Sequence, residues 1–168
     1  AWLRPLRASG VDATQLEDDV RRGLQAVRWR GRFDLVRPRS GTPVLVDGAH
    51  DPTSMQRLVE TVREVLPGLR PIVVLLAIAR DKEIDLILDE LRGFADAAVT
   101  CRARTRRAAE PADLAARLAA RGVAAQTHEG SSAEALERAR EKARGGLVLA
   151  TGSLYLAGEV LSALGEDG

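Results

Sequence analysis

The chain has 168 residues, 45% hydrophobic and 29% charged, and its 25 basic and 24 acidic side chains leave a formal net charge of +1. This is one domain's length of chain with apolar material for a full core, and its near-neutral balance gives no field that would draw it to nucleic acid or a membrane surface. A lone cysteine, Cys101, excludes an internal disulfide and CxxC-type zinc or redox motifs, and no apolar run reaches the roughly 18 residues of a membrane span.

Residues 1–13, with Pro5, Ser9 and Gly10, read as a linker, and 14–168 as the folded domain. The opening AWLRPLRASG lacks the apolar stretch and cleavage site of a signal peptide, and with no initiator Met the chain is read as part of a longer one. A reducing, cytoplasmic setting is the default expectation. From Thr14 a helix is predicted, with Leu16, Val20, Leu24 and Val27 on one face and Thr14 with Glu17 as a capping box. A strand follows Gly31 over about 32–37, and a turn at Ser40-Gly41-Thr42-Pro43 leads into the strand Val44-Leu45-Val46.

Asp51 as N-cap and Pro52 at the first helical position open the clearest helix, whose apolar face carries Met55, Leu58, Val59 and Val62 and which ends at Pro67-Gly68. Ile72 to Ala77 is a continuous apolar run, the pattern of a strand buried on both faces. Ile84, Ile87, Leu88 and Leu91 mark a further helix; strands at 97–101, 123–127 and 147–150 alternate with helices near 111–121, 132–144 and beyond Ser153. This alternation predicts a three-layer α/β domain: a mostly parallel sheet of about six strands, with helices on both faces.

In such folds ligands gather beyond the carboxyl ends of the strands. That rule selects Asp47 and His50 after the second strand, Arg80-Asp81-Lys82-Glu83 after the third, and Thr151 and Ser153 after the last. Arg32, which opens a strand, is not placed by topology alone. Each residue also has a purely structural reading: Asp47 bonding loop backbone, His50 packed at a helix entry, Asp51 and Ser153 as caps, Arg32 in a surface ion pair, Asp81 and Lys82 as a solvated loop pair. Arg102, Arg104, Arg106 and Arg107, with no aromatics between them, read as a solvated loop. Asp47, His50 and Asp51 match no strong metal signature, and Ser153 lacks the G-x-S-x-G elbow because Tyr155 fills its last glycine position. There is neither a G-x-x-x-x-G-K-[ST] phosphate loop nor a G-x-G-x-x-G after the first strand, so a nucleotide held here would find its main phosphate cradle elsewhere.

Four motifs occur in register: Trp29-Arg30-Gly31-Arg32-Phe33, Val46-Asp47-Gly48-Ala49-His50-Asp51-Pro52, Asp81-Lys82-Glu83 and Thr151-Gly152-Ser153-Leu154-Tyr155. From about Gln15 to Leu164 the chain resembles the Rossmann-like C-terminal domain of the folylpolyglutamate synthase and dihydrofolate synthase family, a branch of the Mur ligases. Gly48, where Mur ligases usually carry an aromatic, favours the folate branch.

The resemblance implies an ATP-dependent ligase that joins glutamate to a folate, or to dihydropteroate, through an acyl phosphate. It implies Arg32 on the ATP phosphates, Asp47 on the ribose, and His50 beside nucleotide and active centre. It further implies Ser153, and less directly Lys82, on the incoming glutamate's carboxylate. His50 and Ser153 are thus the candidate catalytic residues, and no residue of the chain is a candidate metal ligand. Mg²⁺ and the phosphate loop are expected in a partner lobe, the N-terminal ATPase domain of the same polypeptide, without which this domain should be inactive. Neither nucleic acid nor membrane is an expected partner.

Three departures from the family pattern stand out: Arg30 replaces a proline, which should loosen the turn before Arg32; Asp51 replaces an asparagine; and Glu83 replaces an aspartate. The alternatives are a stand-alone module binding a nucleotide or metabolite, another Mur-type amide ligase, and a metal-dependent phosphohydrolase built on Asp47, His50 and Asp51.

Overall fold

Consecutive apolar residues without a polar break are best hidden in a strand covered on both sides. In the computed structural model, which describes residues 13–27, 29–37 and 41–165, the run Ile72–Leu76 is such a strand, β3, buried at all five positions. The other strands are β1 (Asp34–Val36), β2 (Val44–Val46), β4 (Ala97–Thr100), β5 (Ala124–Thr127) and β6 (Leu147–Thr151). Between and around them run α1 (Ala13–Ala26), α2 (Pro52–Val65), α3 (Ile84–Asp89), α4 (Pro111–Ala120), α5 (Ser132–Lys142) and α6 (Leu154–Ala163).

The strands form one sheet in the order β1-β2-β6-β3-β4-β5. Every pairing is parallel except β1 with β2, whose antiparallel register sets Asp34 opposite Val46. Alternate residues of each strand feed two cores. Leu45, Val74, Leu76 and Leu149 pack under α2, α3 and α4, whereas Val44, Val46, Leu75 and Val148 pack under α5 and α6. The result is the three-layer α/β architecture expected from the alternation, with strand and helix limits within a few residues of those read from the sequence.

β6 is inserted between β2 and β3, so the neighbouring strands β2 and β6 lead into α2 and α6 on opposite faces of the sheet. The carboxyl edge between them is the topological position where open α/β sheets hold ligands. The antiparallel β1 explains Arg32, which the parallel rule could not place. A strand that starts opposite the end of β2 begins at that same edge.

At the N-terminal side one expectation changes, the cap of the first helix. The first twelve residues of the expected linker lie outside the described residues, and its thirteenth, Ala13, is already helical. Thr14 therefore sits inside the first turn of α1 and is not its N-cap. On and just beyond α1, Val20, Leu24 and Val27 are 46%, 71% and 60% exposed, and Trp29 is 71% exposed. Cys101 is buried against β4, and desolvation pushes its thiol up to about 12, a protonated and unreactive state.

Candidate functional site

At the carboxyl edge the backbone stays tied beyond the strands. The Asp47 N–H donates to Ala150 O at 3.0 Å, the Gly152 N–H to Ala49 O at 2.9 Å, and the buried Thr151 hydroxyl to Ala49 O at 3.4 Å. These bonds fix the loops after β2 and β6 against each other, so the side chains they carry start from a rigid base.

Asp47 uses both carboxylate oxygens on backbone. Oδ1 accepts from the Ala49 N–H at 2.8 Å and Oδ2 from the Phe33 N–H at 2.8 Å. It thereby joins the end of β2 to the turn preceding β1, where Phe33 adopts φ 44° and Gly31 φ 72°. Non-glycine residues resist positive φ, and the charge-assisted bond to the Phe33 N–H offsets that resistance. Arg30 does not loosen this turn. Its guanidinium Nε donates to Asp34 Oδ2 at 2.7 Å while the Gly31 N–H donates to the same oxygen at 3.1 Å, so Asp34 holds it from the other side.

The turn presents Arg32, whose guanidinium lies 6.0 Å from the ring centre of Trp29. Arg32 lines a hollow of about 420 Å³ together with Trp29, Phe33 and β1. A Cβ on Gly48 would stand 3.6 Å from Arg32 Nη1 and would overlap the Leu154 side chain. A bulky residue at 48 requires that Leu154 move.

His50 donates from Nδ1 to Gly48 O at 2.8 Å, since a carbonyl can only accept, and Nε2 is the ring's other polar atom. Asp51 closes a reciprocal capping box on α2: its Oδ1 accepts from the Ser54 N–H at 2.9 Å, and the Asp51 N–H donates to Ser54 Oγ at 3.2 Å. The Ser54 N–H bond is the chief reason its carboxyl titrates below the ordinary range; the Ser54 side chain, His50 and Lys82 add to it. Asp51→Ala should therefore lower stability by about 1 kcal/mol at neutral pH, whereas Asp51→Asn should change it little. A depressed folded value means the charged cap stabilises above the unfolded carboxylate pKa and stops doing so as pH falls through the folded one. Denaturant midpoints should show the gap between wild type and Asp51→Ala closing in acid; a pH-independent gap would contradict the charged cap.

Ser153 caps α6, its Oγ accepting from the Tyr155 N–H at 3.2 Å. The structural readings of Asp47, Asp51 and Ser153 are therefore all present, and a ligand would use what remains of each group. A hollow of about 110 Å³ opens beside the cap, and His50, Lys82 and Ser153 line it together. They come from the ends of β2, β3 and β6 respectively. Arg32 and Asp47 lie at the same edge but outside this hollow.

Thr105 and Arg107 also line the small hollow, and neither was selected from the sequence. They follow β4, whose carboxyl end carries the arginines that read in the sequence as a solvated loop. Asp47, His50 and Asp51 make separate backbone contacts. Among the described residues no three His, Cys, Asp or Glu side chains gather closely enough to hold a metal ion.

Among the described residues no helix is long and apolar enough to cross a membrane. The family model for the Mur ligase, glutamate ligase domain matches residues 31–154. The chain is 32% identical over 81 residues to the dihydrofolate synthase/folylpolyglutamate synthase of Bacillus subtilis, covering 48% of this chain and 18% of that protein. Over 76 residues it is 34% identical to the UDP-N-acetylmuramoyl-L-alanyl-D-glutamate–2,6-diaminopimelate ligase of Bacillus velezensis, covering 45% of this chain and 16% of that one. The crystal structure of Mycobacterium tuberculosis folylpolyglutamate synthase with ADP and AMPPCP superposes with a TM-score of 0.80 at 27% identity. That match takes in 89% of this chain but only 35% of the other, so the chain spans about a third of that relative's length.

Proposed function

The chain belongs to the Mur ligase, glutamate ligase domain family, and from that premise we propose that it forms the C-terminal lobe of an ATP-dependent ligase adding glutamate to a folate. The observation that carries this reading is the convergence of His50, Lys82 and Ser153 from three strand ends on one small polar hollow. Gly48, and the Leu154 side chain that fills the space above it, favour the folate branch over the peptidoglycan branch.

In the proposed reaction the folate carboxylate attacks the γ-phosphorus of ATP and ADP departs. The amine of glutamate then attacks the acyl phosphate carbon, losing a proton as phosphate leaves. Arg32 would offset charge on the transferred phosphoryl group, and Asp47, while holding the turn under Arg32, would reach a ribose hydroxyl through its unused lone pairs. His50, with Nδ1–H committed to Gly48 O, offers Nε2 as the atom free to meet nucleotide or proton. Ser153 and Lys82 would orient a glutamate carboxylate for attack. Mg²⁺ is proposed to reside mainly with the phosphate cradle in an N-terminal ATPase domain of the same polypeptide. The exposed apolar residues on and just beyond α1, Trp29 among them, suit a surface against that lobe, and closure of the two would assemble the site.

The test is ligation by the chain joined to its upstream lobe, supplied with ATP, a reduced folate and radiolabelled glutamate. Glutamate-dependent ADP release and a product one glutamate longer are expected, with neither ATP hydrolysis nor ligation by the isolated chain. Turnover by the isolated chain, or none by the joined protein, would overturn the reading.

A further inference from the structure

The small hollow beside Ser153 has a wall that neither the sequence motifs nor the proposed roles use. After β4 the chain turns tightly at Thr105-Arg106-Arg107-Ala108, where the Ala108 N–H donates to Thr105 O at 3.2 Å and the Arg107 N–H to Thr105 Oγ at 3.3 Å. The returning strand of this loop is stitched to the loop after β3. The Arg80 N–H donates to Arg107 O at 2.7 Å, the Ala109 N–H donates to Ile78 O at 2.8 Å, and Ala79 pairs with Ala108 in an antiparallel bridge. The loop after β3 also carries Lys82, itself fixed by its N–H on Ala79 O at 3.1 Å. Two cationic side chains thus rise from a continuous hydrogen-bonded framework and line one hollow. The Arg107 side chain is solvated, as read from the sequence, but its backbone is built into this edge.

Several features define the ligand. A volume of about 110 Å³ is well below the roughly 300–1,000 Å³ of pockets for larger ligands, so it suits a small ligand and not a whole nucleotide. Lys82, Arg107, Thr105 and Ser153 supply donors and no acidic residue lines the hollow, which selects an anion. The cations come from separate loops, whereas an amino acid with one carboxylate needs only one of them. Arg107 Nη1 does pair with Asp81 at 2.9 Å, but both side chains are about half exposed. Such a pair is weak, and a guanidinium has five N–H donors, so the others remain for a ligand.

We propose that Arg107, assisted by Thr105, binds the second carboxylate of the incoming amino acid and makes the site selective for a dicarboxylic acceptor. This rests on the ligase reading above. Lys82 and Ser153 then take one carboxylate and Arg107 the other, and a neutral side-chain amide of the same size leaves the guanidinium without a charged partner.

The experiment compares glutamate with glutamine as acceptor in the joined two-lobed enzyme. Arg107→Ala should raise KM for glutamate by about tenfold or more, leave KM for ATP near its wild-type value, and collapse the preference for glutamate over glutamine. Arg107→Lys should restore part of that preference. Asp81→Ala breaks the same ion pair but keeps the guanidinium, and should retain the preference. Ligation by the wild type that Arg107→Ala leaves equally selective, or equal losses from Asp81→Ala, overturns the proposal alone. Absence of glutamate ligation by the wild type overturns the ligase reading and this inference with it.

Discussion

Gly152→Ala should destabilise the domain by about 2–6 kcal/mol: roughly 1–3 for holding a side chain at a forbidden backbone angle and 1–3 for overpacking. Gly152 follows β6 with φ 97°, and a Cβ there would lie 2.6 Å from Ala77 O and 3.0 Å from both Ile78 Cγ1 and Leu76 Cδ1. The nearest atom is backbone at the end of the buried β3 and cannot swing aside. Because domains are stable by only about 5–15 kcal/mol, the variant should unfold at a much lower urea concentration. Gly158→Ala is the matched control. Gly158 lies within α6 with nothing within 4 Å of its would-be Cβ, so alanine should add about 0.5–1 kcal/mol there by helix propensity. If the two variants shift the urea midpoint alike, the geometry assigned to Gly152 is wrong.

The same residue shows why much of the fold was legible. Thr151-Gly152-Ser153 breaks an apolar run, and the structure ends β6 and begins α6 across that tripeptide. The Ile72 run and the Asp51-Pro52 start were equally plain, because burial on both faces and capping are decided by a few adjacent residues. What the sequence concealed depended on distant partners. β1 lies antiparallel at the sheet edge, and nothing within its three residues records that Asp34 faces Val46. The α1 face reads as helix packing in the sequence, yet periodicity tells only which residues share a side, not whether anything covers them. Arg107 was hidden for a related reason. Read alone, the arginine cluster is a charged loop; only the pairing of Arg107 O with the Arg80 N–H, and of the following Ala109 N–H with Ile78 O, brings one of the four into the hollow with Lys82. Asp47 showed the converse: its position after a strand marked it as a candidate and as a bonder of loop backbone, and it satisfies the Ala49 N–H and the more distant Phe33 N–H.

Arg32→Ala in the joined enzyme should slow ligation by about 10²–10³-fold, the range for removing one preorganised group that stabilises transition-state charge. Its effect on folding should be small. Arg32 is exposed, and its contact with Trp29, at 6.0 Å from the ring centre, is worth only about 0.5–1 kcal/mol. The rate loss and the stability loss should therefore separate, which a residue serving only the turn could not achieve. Asp47→Ala supplies the contrast. It strips the acceptor from the Phe33 and Ala49 N–H groups, so it should lower stability and activity together. Arg32→Lys should recover only part of the rate, since an ammonium replaces a planar fork by a point charge. Rates measured with ATP and glutamate each limiting decide the matter. If Arg32→Ala ligates at the wild-type rate under both conditions, the turn built by Asp34 and Asp47 presents nothing to the reaction, and Arg32 belongs to the surface.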